Sequence, residues 1–253
     1  MEFDGKVVLV TGGGSGIGKA IAAAFAAQGA AVLINDVSPS AAAVATQLGA
    51  KFLPADLSDP AAVRALAADA LAAHGRVDIL VNNAGFQTVA PVEEFPEEAW
   101  MKMIQVMLTA PFQLTRALVP AMKQAGWGRI VNISSLHGLV ASPFKAAYIS
   151  AKHGMLGLTK TVALEVAAAG ITVNAICPAY VRTPLVEKQI RSQAAIHGIS
   201  EDQVVDRIML EPAAIKRLVE PEEVADLTLF LASDKARSMT GASYLMDLGW
   251  TAR

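Results

Sequence analysis

Val7-Val-Leu-Val10 runs directly into Thr11-Gly-Gly-Gly-Ser-Gly-Ile-Gly18, and the order of these two pieces decides the fold. Four consecutive apolar residues, three of them β-branched, read as a strand buried on both faces. The glycine-rich turn then opens a helix near Gly16, whose faces are marked by Ile17, Ile21, Ala24, Phe25 and Gln28 before Gly29 ends it. Strand, glycine turn and helix in that order let backbone N–H groups and the helix dipole receive a pyrophosphate. Gly12, Gly16 and Gly18 match the pattern, Ser15 and Ile17 lie between them as further candidate contacts, and Gly13 and Gly14 are read as loosening the turn.

Working outward, the same alternation continues. Strand-like runs at Ala31 to Asn35, Val77 to Val81, Arg129 to Ile133, Ile171 to Ile176 and Ser243 to Met246 are separated by Ala-rich helical stretches at the spacing of βα units. No linker interrupts them, so residues 1–253 are expected to form one doubly wound α/β domain of Rossmann type. The stretch from Thr183 to about Arg217 breaks the rhythm. It is helical in composition and follows a strand end, where open α/β sheets bind ligands, so a lid over a substrate is expected at about 183–217.

At the end of the second strand stands Asp36, where a carboxylate accepts hydrogen bonds from both hydroxyls of an adenosine ribose and repels a 2'-phosphate. No Arg or Lys lies in the glycine loop before Gly18, and Val37 follows the Asp. This favours NAD over NADP, against the plainer reading of Asp36 as a helix cap. Asp56 and Leu57 end another strand-like segment, where an adenine edge is read. Asn82-Asn83-Ala84-Gly85 closes the next, its asparagines either bracing strands or touching the cofactor, with Asn83 and Gly85 as the candidate contacts.

Ser135, Tyr148 and Lys152 carry the chemistry. A Tyr four residues ahead of a Lys on a helix shares its face, so the ammonium is expected to favour the ionised phenol. A free phenol titrates near ~10, so work near neutral pH calls for a shift of roughly 2 to 3 units, which one desolvated cation helped by the positive ring of an oxidised nicotinamide is expected to supply. Ser135 has no His and carboxylate arrangement beside it and is read as a hydrogen-bond donor to a substrate oxygen rather than a nucleophile.

Of the 253 residues 53% are hydrophobic and 17% charged, with a formal net charge of -2. That composition supplies a large core and no basic field for nucleic acid or anionic lipid. A small-molecule partner is therefore expected. The single Cys177 forbids an intramolecular disulfide, argues against a cysteine metal site, and reads as an inert core thiol; no metal is expected. The N-terminus lacks the order of a signal peptide and no apolar run is long enough to span a bilayer, so a cytoplasmic protein without membrane attachment is expected.

With TGGGSGIG, Asp56, NNAG, Ser135 and the Tyr148-Ile-Ser-Ala-Lys152 run all in order, the chain resembles the short-chain dehydrogenase/reductase family over essentially its whole length. The resemblance implies a seven-stranded parallel sheet, a homotetramer, and hydride transfer at a nicotinamide. It casts Tyr148 as general acid/base, Lys152 as the holder of the nicotinamide ribose, and Val181 and Thr183 as carboxamide contacts. Within the family, the runs KQAGWGRIVNISSLHGLVAS, AICPAYVRTPLVEKQI and GWTAR are similar to bacterial D-3-hydroxybutyrate dehydrogenases. That likeness implies a hydroxy acid substrate whose carboxylate is held by Gln87, His137, Lys145 and Gln189, with Tyr180 closing over it. A short anion held by one cation and several amide or imidazole donors is sound chemistry.

The chain also departs from the pattern. Met107 stands where the family usually has an Asn in its fourth helix, which puts a side-chain proton relay in doubt. Pro111, four residues on, cannot donate to the Met107 carbonyl, so a kink that frees this oxygen to hold a relay water is expected. Ala179 and Leu248 replace usual glycines and are expected to alter turns; Tyr180 replaces the group's usual Trp. The rival readings are a dehydrogenase for another small alcohol, a 3-ketoacyl thioester reductase, and a dinucleotide sensor without catalysis.

Overall fold

The computed structural model describes residues 1–252, except for the side chains of Ser192 and Ile196. The chain runs β1 (Val7–Thr11), α1 (Gly16–Ala27), β2 (Ala31–Asp36), α2 (Ala41–Leu48), β3 (Lys51–Pro54), α3 (Pro60–His74) and β4 (Ile79–Asn82). It continues through α4 (Glu97–Ile104), α5 (Ala110–Ala125), β5 (Gly128–Ile133), α6 (Ala146–Val166), β6 (Ile171–Pro178), α7 (Pro184–His197), α8 (Glu201–Val204), α9 (Pro221–Ala232) and β7 (Ser243–Met246). Among the described residues the strands form one seven-stranded sheet in the order β3-β2-β1-β4-β5-β6-β7, parallel throughout. The chain leaves β1 toward β2 and β3, then returns to β4 on its other side. That reversal opens a crevice at the carboxyl ends of β1 and β4, where such sheets take their ligands.

Period-two alternation places the core on both faces. Val7 and Leu9 of β1, Leu33 of β2, Leu80 of β4 and Ile130 of β5 point into a cluster with Leu66, Met103, Leu114 and Leu118 of α3, α4 and α5. Val8, Val10, Ile34, Ile79, Val81 and Val131 point the other way, onto Ile21 and Phe25 of α1 and Val224 and Leu231 of α9. At about 25 cal/mol per Å² of apolar surface, burying each such side chain contributes roughly 1.5–3 kcal/mol. This is why the strands read as unbroken apolar runs.

Two element ends differ from the sequence reading. The strand expected from Val77 begins at Ile79, because Asp78 turns its carboxylate onto the Val7 N–H at 2.8 Å and Arg76 Nε at 3.0 Å. The segment expected to run to Asp56 and Leu57 stops at Pro54, on the edge strand, where a proline is tolerated. Asp56 and Leu57 lie in the following turn, with the Asp56 carboxylate accepting from the Ser58 N–H at 2.9 Å. The break expected at Pro111 takes a specific form. Between α4 and α5 the residues Gln105–Thr109 form a wide turn in which the Ala110 N–H donates five residues back to the Gln105 carbonyl. Among the described residues no helix is long and apolar enough to cross a membrane.

Candidate active site

The glycine turn is held in place from beneath. Thr11 Oγ1 accepts from the N–H groups of Asn83 (3.0 Å) and Ala84 (3.1 Å), while Asn83 Nδ2 donates to the carbonyls of Thr11 (2.9 Å) and Gly12 (3.1 Å). Gly12 has a left-handed backbone (φ 63°), and a Cβ at Gly18 would stand 2.1 Å from the Gly12 carbonyl oxygen. No side chain fits there, so the start of α1 reaches the turn closely enough to aim its N–H groups outward. Asn83 therefore braces the turn with its amide, and Asn82 braces strands by donating to Asn132 at 2.8 Å, the partner it faces across β4 and β5.

Asp36 closes β2 with both carboxylate oxygens fixed, Oδ2 accepting from the Gly14 N–H (3.0 Å) and Oδ1 from the Ser38 N–H (2.9 Å). It is not the cap of α2, whose N-cap is Ser40. Gly14 does more than loosen the turn, since its amide orients this carboxylate.

From this turn a cavity of about 580 Å³ runs across the carboxyl ends of the strands. Its walls include Gly12, Ser15, Gly16, Ile17, Asp36, Asp56, Leu57, Asn83 and Gly85 at one end. Toward the other end they include Ser135, Tyr148, Lys152, Val181 and Thr183, then Gln87, His137, Lys145, Tyr180 and Gln189. Every residue singled out from the sequence as a contact, Gly18 excepted, lines this space. Gly18 does not line it; its part is the close approach described above.

The reacting end is built on β5 and α6. Ser135, just past β5, accepts from the His137 N–H through Oγ at 3.2 Å. Tyr148 and Lys152 stand one turn apart on α6, with Lys152 Nζ 5.7 Å from the Tyr148 ring centre. Lys152 is only 3% exposed and donates to the Ile133 carbonyl at 2.7 Å. Burial presses its pKa down to about 8. Burial likewise pushes the Tyr148 phenol up, opposed by a hydrogen bond with Ser135 that pulls it down. The expectation that the ammonium, helped by the positive ring of an oxidised nicotinamide, acidifies the phenol is corrected in one respect: among the protein's own groups the ammonium is not what dominates. Within the protein's own groups desolvation dominates, and the phenol is held as a neutral acid.

At the far end, burial first, then the nearby Lys145 and His153 charges, hold His137 at about 4. Its imidazole is neutral near pH 7, and Nε2 pairs with Ser142 Oγ at 3.1 Å. Lys145 is therefore the cation of this end, its pKa lowered by burial and its Nζ 5.8 Å from the Tyr180 ring centre. Among the described residues Gln87 Nε2 is buried without a hydrogen-bond partner. Cys177 is fully buried, and burial holds its thiol up at about 11, which keeps it protonated and unreactive.

A family model described as enoyl-(acyl carrier protein) reductase matches residues 12–251. A D-beta-hydroxybutyrate dehydrogenase of Rhizobium meliloti is 48% identical over 256 residues, covering 98% of this chain and 99% of that protein. The chain belongs to the short-chain dehydrogenase/reductase family. A D-beta-hydroxybutyrate dehydrogenase of Cupriavidus necator is 46% identical over 257 residues (99% and 100% covered), and a cyclohexanol dehydrogenase of an Acinetobacter strain 38% identical over 259 (100% and 97%). As a short-chain dehydrogenase/reductase the chain is an oxidoreductase, and the family's cofactor is a nicotinamide dinucleotide. The cradle fits that group: a turn that excludes Cβ atoms, outward N–H groups at the start of α1, and a fixed carboxylate at the end of β2.

Three of the departures from the family pattern, at Met107, Ala179 and Leu248, have a local account. Met107 is fully buried, and its sulfur lies against Gly85, where a Cβ would come within 3.2 Å. It fills space and offers no hydrogen-bonding group. Ala179 has no left-handed backbone and so replaces a glycine without strain, whereas Leu248 does adopt one (φ 59°). Its carbonyl accepts from the N–H groups of Ala214 (2.8 Å) and Ile215 (3.0 Å), and its side chain packs into two apolar clusters. Arg253, the last residue of the GWTAR run, lies outside the described residues. Sequence reading missed Phe86, Lys102, Val106 and Leu185, which also line the cavity. Lys102 carried no signal, being an exposed helix residue, yet its charge helps lower the Asp56 pKa, after the hydrogen bonds from Ser58.

Proposed function

We propose that this enzyme interconverts (R)-3-hydroxybutyrate and acetoacetate with NAD. The observation that carries the reading is the single cavity in which Ser135 and Tyr148 share walls with a partly desolvated Lys145, a neutral His137, and Gln87 and Gln189. One cation with amide donors around it suits one carboxylate at a short distance from a secondary alcohol. The unsatisfied Gln87 Nε2 adds a donor for that carboxylate. The two D-beta-hydroxybutyrate dehydrogenases among the relatives point the same way.

Asp36 supports NAD over NADP, because its oriented carboxylate accepts from ribose hydroxyls and repels a phosphate. Gly12, Ser15, Gly16 and Ile17 would hold the pyrophosphate, Asp56 and Leu57 the adenine, Asn83 and Gly85 the adjoining ribose region, and Val181 and Thr183 the carboxamide. When bound, the nicotinamide supplies hydride acceptance. Ser135 holds the substrate oxygen, Tyr148 exchanges the hydroxyl proton, and Lys152 places positive charge beside the phenol. Lys152 spends one N–H on Ile133 and keeps two for the ribose and a water. The Met107 carbonyl is assigned to that water, since Pro111 has no N–H to give it and the wide turn at Gln105–Thr109 breaks the regular helix there.

Residues 183–217 are read as the lid. Leu185, Val186 and Gln189 of α7 face the cavity, and Val186 and Ile190 pack with Val204, Met209, Leu210 and Leu218 in a small core of their own. The segment's ends are joined by the Val219 N–H on the Tyr180 carbonyl (2.9 Å) and the Arg182 N–H on the Val219 carbonyl (2.8 Å). A homotetramer belongs to the same reading: Met101, Phe112 and Leu164 on α4–α6, and Phe230 and Leu245 on α9 and β7, are large exposed apolar side chains that contacts between subunits would cover.

The test compares (R)-3-hydroxybutyrate with its methyl ester, under NAD and NADP, in the native enzyme and in Lys145→Ala. The acid with NAD should be preferred, and Lys145→Ala should raise KM for the acid by about 10- to 100-fold with kcat little changed, the signature of lost ground-state binding. Equal turnover of acid and ester would remove the clamp. It would favour a substrate without a free carboxylate, such as a 3-ketoacyl thioester.

A further inference from the structure

Among the described residues two non-glycines have a left-handed backbone, Leu248 and Phe144 (φ 69°). Leu248 is anchored by its packing. Phe144 is not: its side chain is 54% exposed and is absent from the walls of the cavity. A bulky residue at positive φ is an outlier that persists only where its surroundings over-determine it. Here the surroundings are backbone. The Phe144 carbonyl accepts from the Ala90 N–H at 3.1 Å, and the Lys145 carbonyl accepts from the Ile149 N–H at 3.0 Å in the first turn of α6. Lys145 itself is the N-cap of α6, with φ −125° and ψ 35°.

This turn is where two arms of the carboxylate end meet. One arm leads from β4 through Gln87 to Ala90; the other leads through Phe144 to Lys145. Resting on the hydroxy-acid reading above, we propose that Phe144 is a positioning residue whose left-handed backbone, rather than its ring, holds Lys145 and Gln87 convergent on the substrate carboxylate. A right-handed or extended backbone at 144 redirects the chain just before the N-cap, breaks the bond to Ala90, and moves Lys145. Tyr148 and Lys152 lie farther along α6, within its regular hydrogen bonding, and keep their places. Anion binding therefore suffers and the chemical step does not.

The experiment measures kcat and KM for (R)-3-hydroxybutyrate and its methyl ester in Phe144→Gly, Phe144→Asn, Phe144→Ala and Phe144→Val. Glycine and asparagine adopt positive φ readily, whereas a β-branched valine does not. KM for the acid should stay within about two-fold of native in the Gly and Asn variants and rise about ten-fold in the Val variant, with kcat and the ester's KM unmoved in all. A rise in KM with Gly and Asn as large as with Val assigns the work to the ring and overturns the proposal. So does an unchanged KM in Val. If the Val variant does not fold, the remaining three decide. Native-like KM in all three, with higher Tm for Gly and Asn than for Ala, supports the backbone role; a raised KM in all three overturns it. A native enzyme that treats acid and ester alike sinks the clamp itself, and this inference with it. A native enzyme that discriminates, with Val unaffected, sinks this inference alone.

Discussion

Replacing Tyr148 with Phe should lower kcat by about a thousand-fold, the scale expected for losing a positioned acid/base, while NAD binding stays within about two-fold. The substitution removes one oxygen and preserves the ring. In the proposed reaction the phenol oxygen is the atom that exchanges the substrate hydroxyl proton. Ser135 is hydrogen-bonded to it and bears on its pKa, and Lys152 Nζ stands 5.7 Å from its ring. Steady-state kinetics together with a fluorescence titration of NAD checks the split. Retained turnover would reassign the proton to another group; lost NAD binding would make Tyr148 a structural residue of the cofactor site.

Lys152→Met is the second large change, in two readouts. Turnover should fall by about a hundred-fold or more, because a buried positive charge is removed from beside the Tyr148 ring. Stability responds as well. The folded-state pKa of Lys152, about 8, lies below the ordinary value of 10.5, so the unfolded chain binds the proton more tightly. Below pH 8 both states are charged and the folded protein bears the full cost of the buried ammonium, on the order of 3 kcal/mol. As pH rises from about 8 to 10.5 that cost is relieved. Native stability should therefore increase relative to Lys152→Met across this window, as thermal melts at matched pH values would show. A native stability that stays level or falls relative to Lys152→Met as the pH rises through this window would mean that Lys152 is not desolvated in the folded state.

These two residues show how much of the site could be read in advance. Their four-residue spacing puts them on one face of α6 whatever the rest of the chain does, so their pairing was legible. The glycine turn and Asp36 were legible for the same reason: a strand end, a tight turn and a helix start are local events. What burial does to charge was not. The upward pull on the Tyr148 phenol, the neutral His137, and the unsatisfied Gln87 depend on how distant segments pack, and residue type alone pointed elsewhere. Lys102 on α4 reached the cavity without any pattern to announce it. Phe144 is the sharpest case, because nothing about a phenylalanine marks a left-handed turn.

The fold shows the same division. Short unbroken apolar runs and Ala-rich spacers gave the order of elements, and Pro111 signalled an irregular helix. That the irregularity is a wide turn at Gln105–Thr109, with Met107 packed against Gly85, depends on contacts between segments far apart in sequence.

The most direct measurement uses (R)-3-hydroxybutyrate carrying deuterium at C3, incubated with the enzyme and NAD, with the label traced in cofactor, product and water. The account predicts reduced nicotinamide carrying the deuterium at its C4, formed in step with acetoacetate, and none released to water. Deuterium in the water, or no labelled cofactor from this substrate, would contradict it.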